Sequence, residues 1–220
     1  MSKEFRTSLS AFLISLFTLI LALTTGCSQS TPELVRANYS VIFEYENDES
    51  LPDSRLCLFL ESQSDVRKYE RIRVVSEETG YIWEINDVAK VVLDEQQWAG
   101  NTNIVVPENK LIPTGKYQVT FYTADEKETS LSFNISYDSS IYDLTAVELE
   151  EKMHKSDAEK KIAIYDKNDV LLYYDKKTDD FDTDRDVWNY NRNAVYYYDV
   201  WTSDDELLIC IMPVKKIKIN

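Results

Sequence analysis

Histidine is almost missing from this chain: His154 is the only one. A metal site built on two imidazoles is therefore excluded, and a Ser-His-Asp or Cys-His apparatus has a single candidate base. That base sits in Glu150-Glu151-Lys152-Met153-His154-Lys155, a charged stretch that reads as solvent-facing. Glycine is nearly as scarce. Beyond residue 26 only Gly80, Gly100 and Gly115 remain, too scattered to form a phosphate-cradling loop. Cations are in deficit as well, with 24 Lys and Arg against 39 Asp and Glu for a net charge of −15. Nucleic-acid binding rests on cationic contacts to phosphate, so the balance argues against it. It argues equally against lying flat on an anionic bilayer. The acidic excess reads as a solvated, aggregation-resistant exterior.

One long apolar run is present, at the N-terminus, and nothing after residue 27 repeats it. Lys3 and Arg6 make the start basic, Ser10 to Leu23 is uncharged and mostly apolar, and Thr24-Thr25-Gly26 leads into Cys27. A basic start, an apolar run too short for a comfortable span and small residues at a cut site describe a secretory signal over residues 1–26. With a cysteine directly after the cut, the segment resembles the lipobox of bacterial lipoproteins. That resemblance implies that Cys27 becomes the mature N-terminus, thioether-linked to diacylglycerol, with two or three acyl chains forming a durable anchor. The match departs from the usual pattern at Thr24, where Leu is common and here stands one position further out as Leu23. Relaxed lipoboxes of this kind are familiar in spirochaetes. Ser28, in place of Asp, implies outer-membrane rather than inner-membrane sorting. The alternative is an ordinary signal peptide or uncleaved helix with an incidental cysteine.

Loss of residues 1–26 would remove two cations and one anion, taking the net charge to −16. The rest is long enough for one large or two small domains. A hydrophobic content of 44%, with fifteen Tyr and four Trp, is too rich for disorder. Cys57 and Cys210 both sit in apolar β-like runs, Leu-Cys-Leu-Phe-Leu and Ile-Cys-Ile-Met. They can pair in an oxidising compartment or remain two buried thiols, and the sequence leaves both open.

Residues 27–36 read as a short polar tether containing Pro32. From Tyr39 the pattern alternates and sets Val41, Phe43 and Tyr45 on one face. Leu56 to Leu60 is apolar on both faces, as in a central strand. Further strands are expected at 69–75, 81–85, 88–93, 116–123 and 129–137. Short strands separated by polar turns point to a β-sandwich over residues 37–138. Leu111-Ile-Pro-Thr-Gly-Lys-Tyr117 is similar to the approach to a late strand in fibronectin type III and related immunoglobulin-like domains. That resemblance implies a tyrosine corner, with the Tyr117 hydroxyl bonded to upstream backbone and its ring beneath the turn. Thr114 and Gly115 stand exchanged relative to the commonest order.

Residues 139–220 read as a second small β-rich, or α+β, domain. Residues 144–153 fit either an amphipathic helix capped by Asp143 or Thr145, or a strand. A hairpin is expected around Asp166-Lys-Asn-Asp169, another around Ser203-Asp204-Asp205, and a short basic strand over 214–219. This half has no glycine, so Asn and Asp must supply its turns.

Two constellations invite a chemical reading. Asp180, Asp182 and Asp184 alternate like the start of an EF-hand loop, but Arg185 and Asn191 occupy the positions that need Gly and Glu. A looser Ca²⁺ site and a solvated acidic loop are the readings left. Trp188, Tyr190, Tyr196, Tyr198 and Trp201, interleaved with Asp, Asn and Arg192, are candidate ligand-binding residues that could stack on sugars or anchor a protein partner. In a strand Tyr196 and Tyr198 share a face opposite Tyr197, so one face is expected to be core.

Together these features predict a mainly β, non-enzymatic cell-envelope lipoprotein without a cofactor. It is expected to bind the membrane through its lipid and to bind or scaffold an envelope protein. A carbohydrate-capture lipoprotein and a carboxylate-based hydrolase are the alternatives.

Overall fold

Period-two burial governs the architecture. In the strand Leu34–Glu44 (β1) Val41 and Phe43 point inward, and in Asp53–Ser62 (β2) Leu56, Leu58 and Leu60 do the same. The computed structural model describes residues 33–106 and 111–219. The expected signal segment, Cys27 and residues 28–32 of the expected tether lie outside the described residues. The strand already runs from Leu34, with Leu34 opposite Ser62 and Arg36 opposite Glu61, so the sandwich begins three residues before the expected boundary at 37.

The next strands are Tyr69–Ser76 (β3), Ile82–Ile85 (β4), Ala89–Leu93 (β5), Gln96–Val105 (β6), Gly115–Thr123 (β7) and Glu128–Ile135 (β8). Among the described residues, one four-stranded antiparallel sheet has the order β4-β3-β7-β8, and it faces a larger sheet containing β1-β2-β6-β5. This is the two-sheet order of an immunoglobulin-like sandwich. Tyr69 stacks on Phe121 with ring centroids 4.5 Å apart, and Phe43 meets Tyr137 edge-on at 5.5 Å.

The tyrosine corner is present. Tyr117 Oη donates to the Pro113 carbonyl at 2.7 Å, and the ring is fully buried against Phe133. Burial pushes its phenol well above the ordinary value. Gly115 has φ +114° at the first residue of β7, so the glycine stands where the backbone needs the left-handed region. β6 was not expected from its polar composition. Its Gly100 lies so close to β2 that a Cβ there would meet the Leu58 carbonyl oxygen at 2.0 Å.

Beyond residue 138 the chain does not start a separate sheet. Residues 144–153 resolve as a helix, Ala146–Met153 (α1). Thr145 Oγ1 accepts from the Glu148 amide, and the Glu148 carboxylate accepts from the Thr145 amide at 2.9 Å. The helix buries Ala146, Leu149 and Met153 in the same core as Val41, Phe43 and Leu56. Then come Glu159–Tyr165 (β9), Leu171–Lys176 (β10), the short helix Asp184–Tyr190 (α2), Tyr196–Thr202 (β11), Leu208–Ile211 (β12) and Lys215–Lys216 (β13).

β12 pairs in parallel with β1, Ile42 opposite Ile209 and Phe43 opposite Cys210. The large sheet therefore runs β10-β9-β11-β12-β1-β2-β6-β5, with β13 on β11. The expected division at 138/139 would cut through both this sheet and the main core, and the described residues from 33 onward belong to one compact unit. A smaller second core joins Ile162, Ile164 and Tyr197 to Phe181 and Val187 beneath α2.

Cys57 and Cys210 are both free. Cys57 lies between inward-facing Leu56 and Leu58 and points outward, whereas Cys210 is in the core beside Phe43. Opposite faces of one sheet cannot be bridged.

Replacing Tyr117 by Phe removes the partly buried hydrogen bond to the Pro113 carbonyl. The expected loss is about 1–2 kcal/mol of unfolding free energy at unchanged denaturant slope, read from urea titration.

Candidate functional site

The same alternation that fills the core leaves the other face of the large sheet uncovered among the described residues, and its side chains follow from the register. Leu171, Tyr165 and Tyr196 lie side by side across β10, β9 and β11, and Tyr174, Ala163 and Tyr198 form the next row. Val200, Ile211 and Glu44 continue across β11, β12 and β1, followed by Ile209, Ile42 and Arg55. Ala163 is the one small side chain among large ones, so the surface dips there. The result is an open groove of about 720 Å³, within the size range of ligand sites.

Tyr165 and Tyr196 stack on one another at 5.2 Å with ring planes 7° apart, and Tyr198 stands at 89° to both. Tyr196 Oη donates to Asp169 Oδ1 at 2.7 Å. That carboxylate, together with burial, pushes the Tyr196 phenol up, and burial does the same to Tyr198 and Tyr174. These three tyrosines are therefore neutral at physiological pH and present rings and hydroxyls, not phenolates. The groove ends at Glu44, Glu46, Asp53 and Arg55. The Arg55 guanidinium already pairs with Glu44 at 2.8 Å and donates to the Thr102 carbonyl.

The five aromatic residues singled out from sequence are divided. Tyr196 and Tyr198 line the groove. Trp201 is 4% exposed and faces the opposite way, packed in the main core with His154 edge-on at 4.9 Å. Trp188 and Tyr190 belong to α2, where Arg192 lies over the Trp188 ring at 3.5 Å and Tyr190 packs against Tyr173 and Phe181. No single five-membered platform forms. Tyr165 and Tyr174 complete the groove instead, and only strand register could have revealed them.

Asp180, Asp182 and Asp184 do not converge. Among the described residues no three acidic, His or Cys side chains are grouped to hold a metal ion. Asp184 instead accepts from the Lys218 amide at 2.9 Å, and Asp186 closes a capping box with Thr183 at the start of α2. No family model matches the chain, and no curated protein matches it.

Behind the groove, β11 is held by a buried charge. Asp199 lies between Tyr197 of the small core and Trp201 of the main core and is 1% exposed. Lys177 Nζ and Lys215 Nζ reach its carboxylate at 2.7 and 2.8 Å, with Lys160 Nζ at 3.4 Å. Burial works to raise this carboxyl, but the hydrogen bonds from Lys177 and Lys215 outweigh it and hold it below the ordinary value. A carboxyl depressed on folding adds stability above about pH 4, and that stability is lost as pH falls through the folded value. Asp199→Asn is expected to lose roughly 3 kcal/mol at pH 7, by leaving three lysines around a neutral amide. Chemical denaturation at pH 7 and pH 3 checks this, since the gap between variant and wild type should shrink at the lower pH.

Proposed function

We propose that this chain is a lipid-anchored binding module of a bacterial cell envelope, without chemistry of its own, that engages its partner through the tyrosine-lined groove. One observation carries the binding half of this reading. A nine-stranded sheet keeps one face under two cores and leaves the other concave, apolar at its centre and uncovered among the described residues. A face of that composition is a recognition surface more than a solvated one. The anchoring half rests on the Thr24-Thr25-Gly26-Cys27 segment, with Ser28 favouring the outer membrane. Among the described residues no helix is long and apolar enough to cross a membrane.

The groove residues Ile42 and Glu44 lie toward the far end of β1, roughly 30 Å of strand from its start at Leu34 at about 3.3 Å per residue. The sugar-capture alternative has less support, because the tyrosine rings stack on each other or stand perpendicular and offer no coplanar platform. The hydrolase alternative gains no specific observation.

Two measurements test the halves separately. Labelling with a palmitate analogue should mark the wild-type chain and not Cys27→Ala, and equal labelling of both would refute acylation at this residue. Filling the groove with Ala163→Trp should abolish capture of at least one envelope component by the folded protein. An unchanged capture profile would remove the groove from the function.

A further inference from the structure

The charges around the groove narrow what it takes. Glu46 and Asp53 are exposed, line its end and have no ion-pair partner among the described residues, while Asp169 marks the opposite end beside Tyr196. Arg55, the one cation lining the groove among the described residues, is already paired with Glu44. The centre between these acids is Ala163, Val200, Ile209 and Ile211 with tyrosine edges. Such a site rewards apolar side chains in the middle and positive charge at both ends.

We infer that the occupant is an extended protein segment whose central apolar side chains are flanked by Lys or Arg. This rests on the reading of the groove as the binding surface. The length of the site supports a chain over a compact small molecule, since it spans six strands from Leu171 on β10 to Asp53 on β2. The ring geometry supports aliphatic and aromatic side chains over sugars. Tyr165 and Tyr196 turn faces toward each other, and what Tyr198 offers them is its perpendicular orientation, the packing that suits edge contacts. The acidic net charge of the whole chain, −15, adds long-range attraction for a basic partner and repels an acidic one.

The test is selection from a random linear peptide library on the full-length chain, counter-selected against Ala163→Trp, with a glycan panel run in parallel. Groove-dependent peptides are expected to carry net positive charge around apolar centres. Individual winners should bind about tenfold more weakly to the charge-reversal variant Asp53→Lys and weaken as salt rises. Asp53 is exposed, so this variant keeps the fold, and an unchanged thermal midpoint verifies that. Groove-dependent peptides with no cationic bias, or with unchanged affinity for Asp53→Lys, overturn the proposed chemistry. Glycans that bind wild type and not Ala163→Trp overturn the protein partner but keep the groove. If neither peptide nor glycan distinguishes the two chains, the reading of the groove itself falls.

Discussion

Four residues of parallel pairing between β1 and β12 hold this structure together as one object. Val41 donates to the Leu207 carbonyl at 2.8 Å and Tyr45 to that of Ile211 at 3.0 Å. Ser40 Oγ adds a bond to the Glu206 carbonyl, a residue 166 positions away. Without this ladder β1 would be an edge, and the strands that follow α1 would have only their small core. With it, β1 is central, which is why Val41, Ile42 and Phe43 are buried in succession where alternation alone would expose the middle one. Loop-closure cost grows only by about 0.6 kcal/mol for each doubling of length, so the long separation is affordable at equilibrium. Its burden falls on rate, because distant contacts reward the chain only after they close.

The ladder has a consequence on each face. Inward, it brings two cores of different size under one sheet, and β11 must pass through both. Tyr197 belongs to one, Trp201 to the other, and the residue between them is Asp199 with its lysines. An apolar residue there would fuse the cores. A carboxylate needing three cations instead fixes where β9, the end of β10 and β13 gather around β11, because Lys160, Lys177 and Lys215 come from three different segments. Lys160 also pairs with Glu150 of α1 at 2.6 Å and lies 5.2 Å from the Trp201 ring centroid, tying the helix to the same point. Outward, the ladder aligns Ile42, Ile209 and Val200 with the tyrosines of β9 to β11, and the groove exists only because those strands share one sheet.

How much of this was legible varies with the range of the interaction. Contacts within a few residues wrote themselves into the sequence. Tyr117 and Pro113 mark the corner, and Asp166 accepts from the Asn168 and Val170 amides to make a turn without glycine, whereas Thr145 was one of two candidate caps for a segment that also fitted a strand. The inward set of β1 was likewise readable from period two. β6 was not, because half its residues are polar and its decisive residue, Gly100, matters through a backbone 42 residues earlier at Leu58. The site was half legible for the same reason. Tyr196 and Tyr198 announce a shared face within one strand, whereas Tyr165 and Tyr174 join them only through register. Trp201 was drawn into the cluster by proximity in sequence, although its odd parity relative to Tyr198 sends it inward. Asp180, Asp182 and Asp184 share parity only as a strand would, and residues 179–181 and 184–190 are helical turns.

An open apolar face on a large sheet invites self-association, and the composition of this one shows how that is restrained. Its aromatic residues are tyrosines, not phenylalanines, so every ring carries a hydroxyl that can meet water or a carboxylate such as Asp169. Its end carries Glu46 and Asp53 without an ion-pair partner among the described residues, so two copies laid face to face would bring like charges together. The edge at β10 exposes Leu171 and Tyr174 but ends in Asp175-Lys176, and Lys161 beneath Tyr174 is tied to Glu206. The same charges that keep the groove from closing on its own copy favour a partner of opposite sign. Solubility and selectivity thus draw on one set of carboxylates, and a change that improved apolar contact by removing them would weaken both.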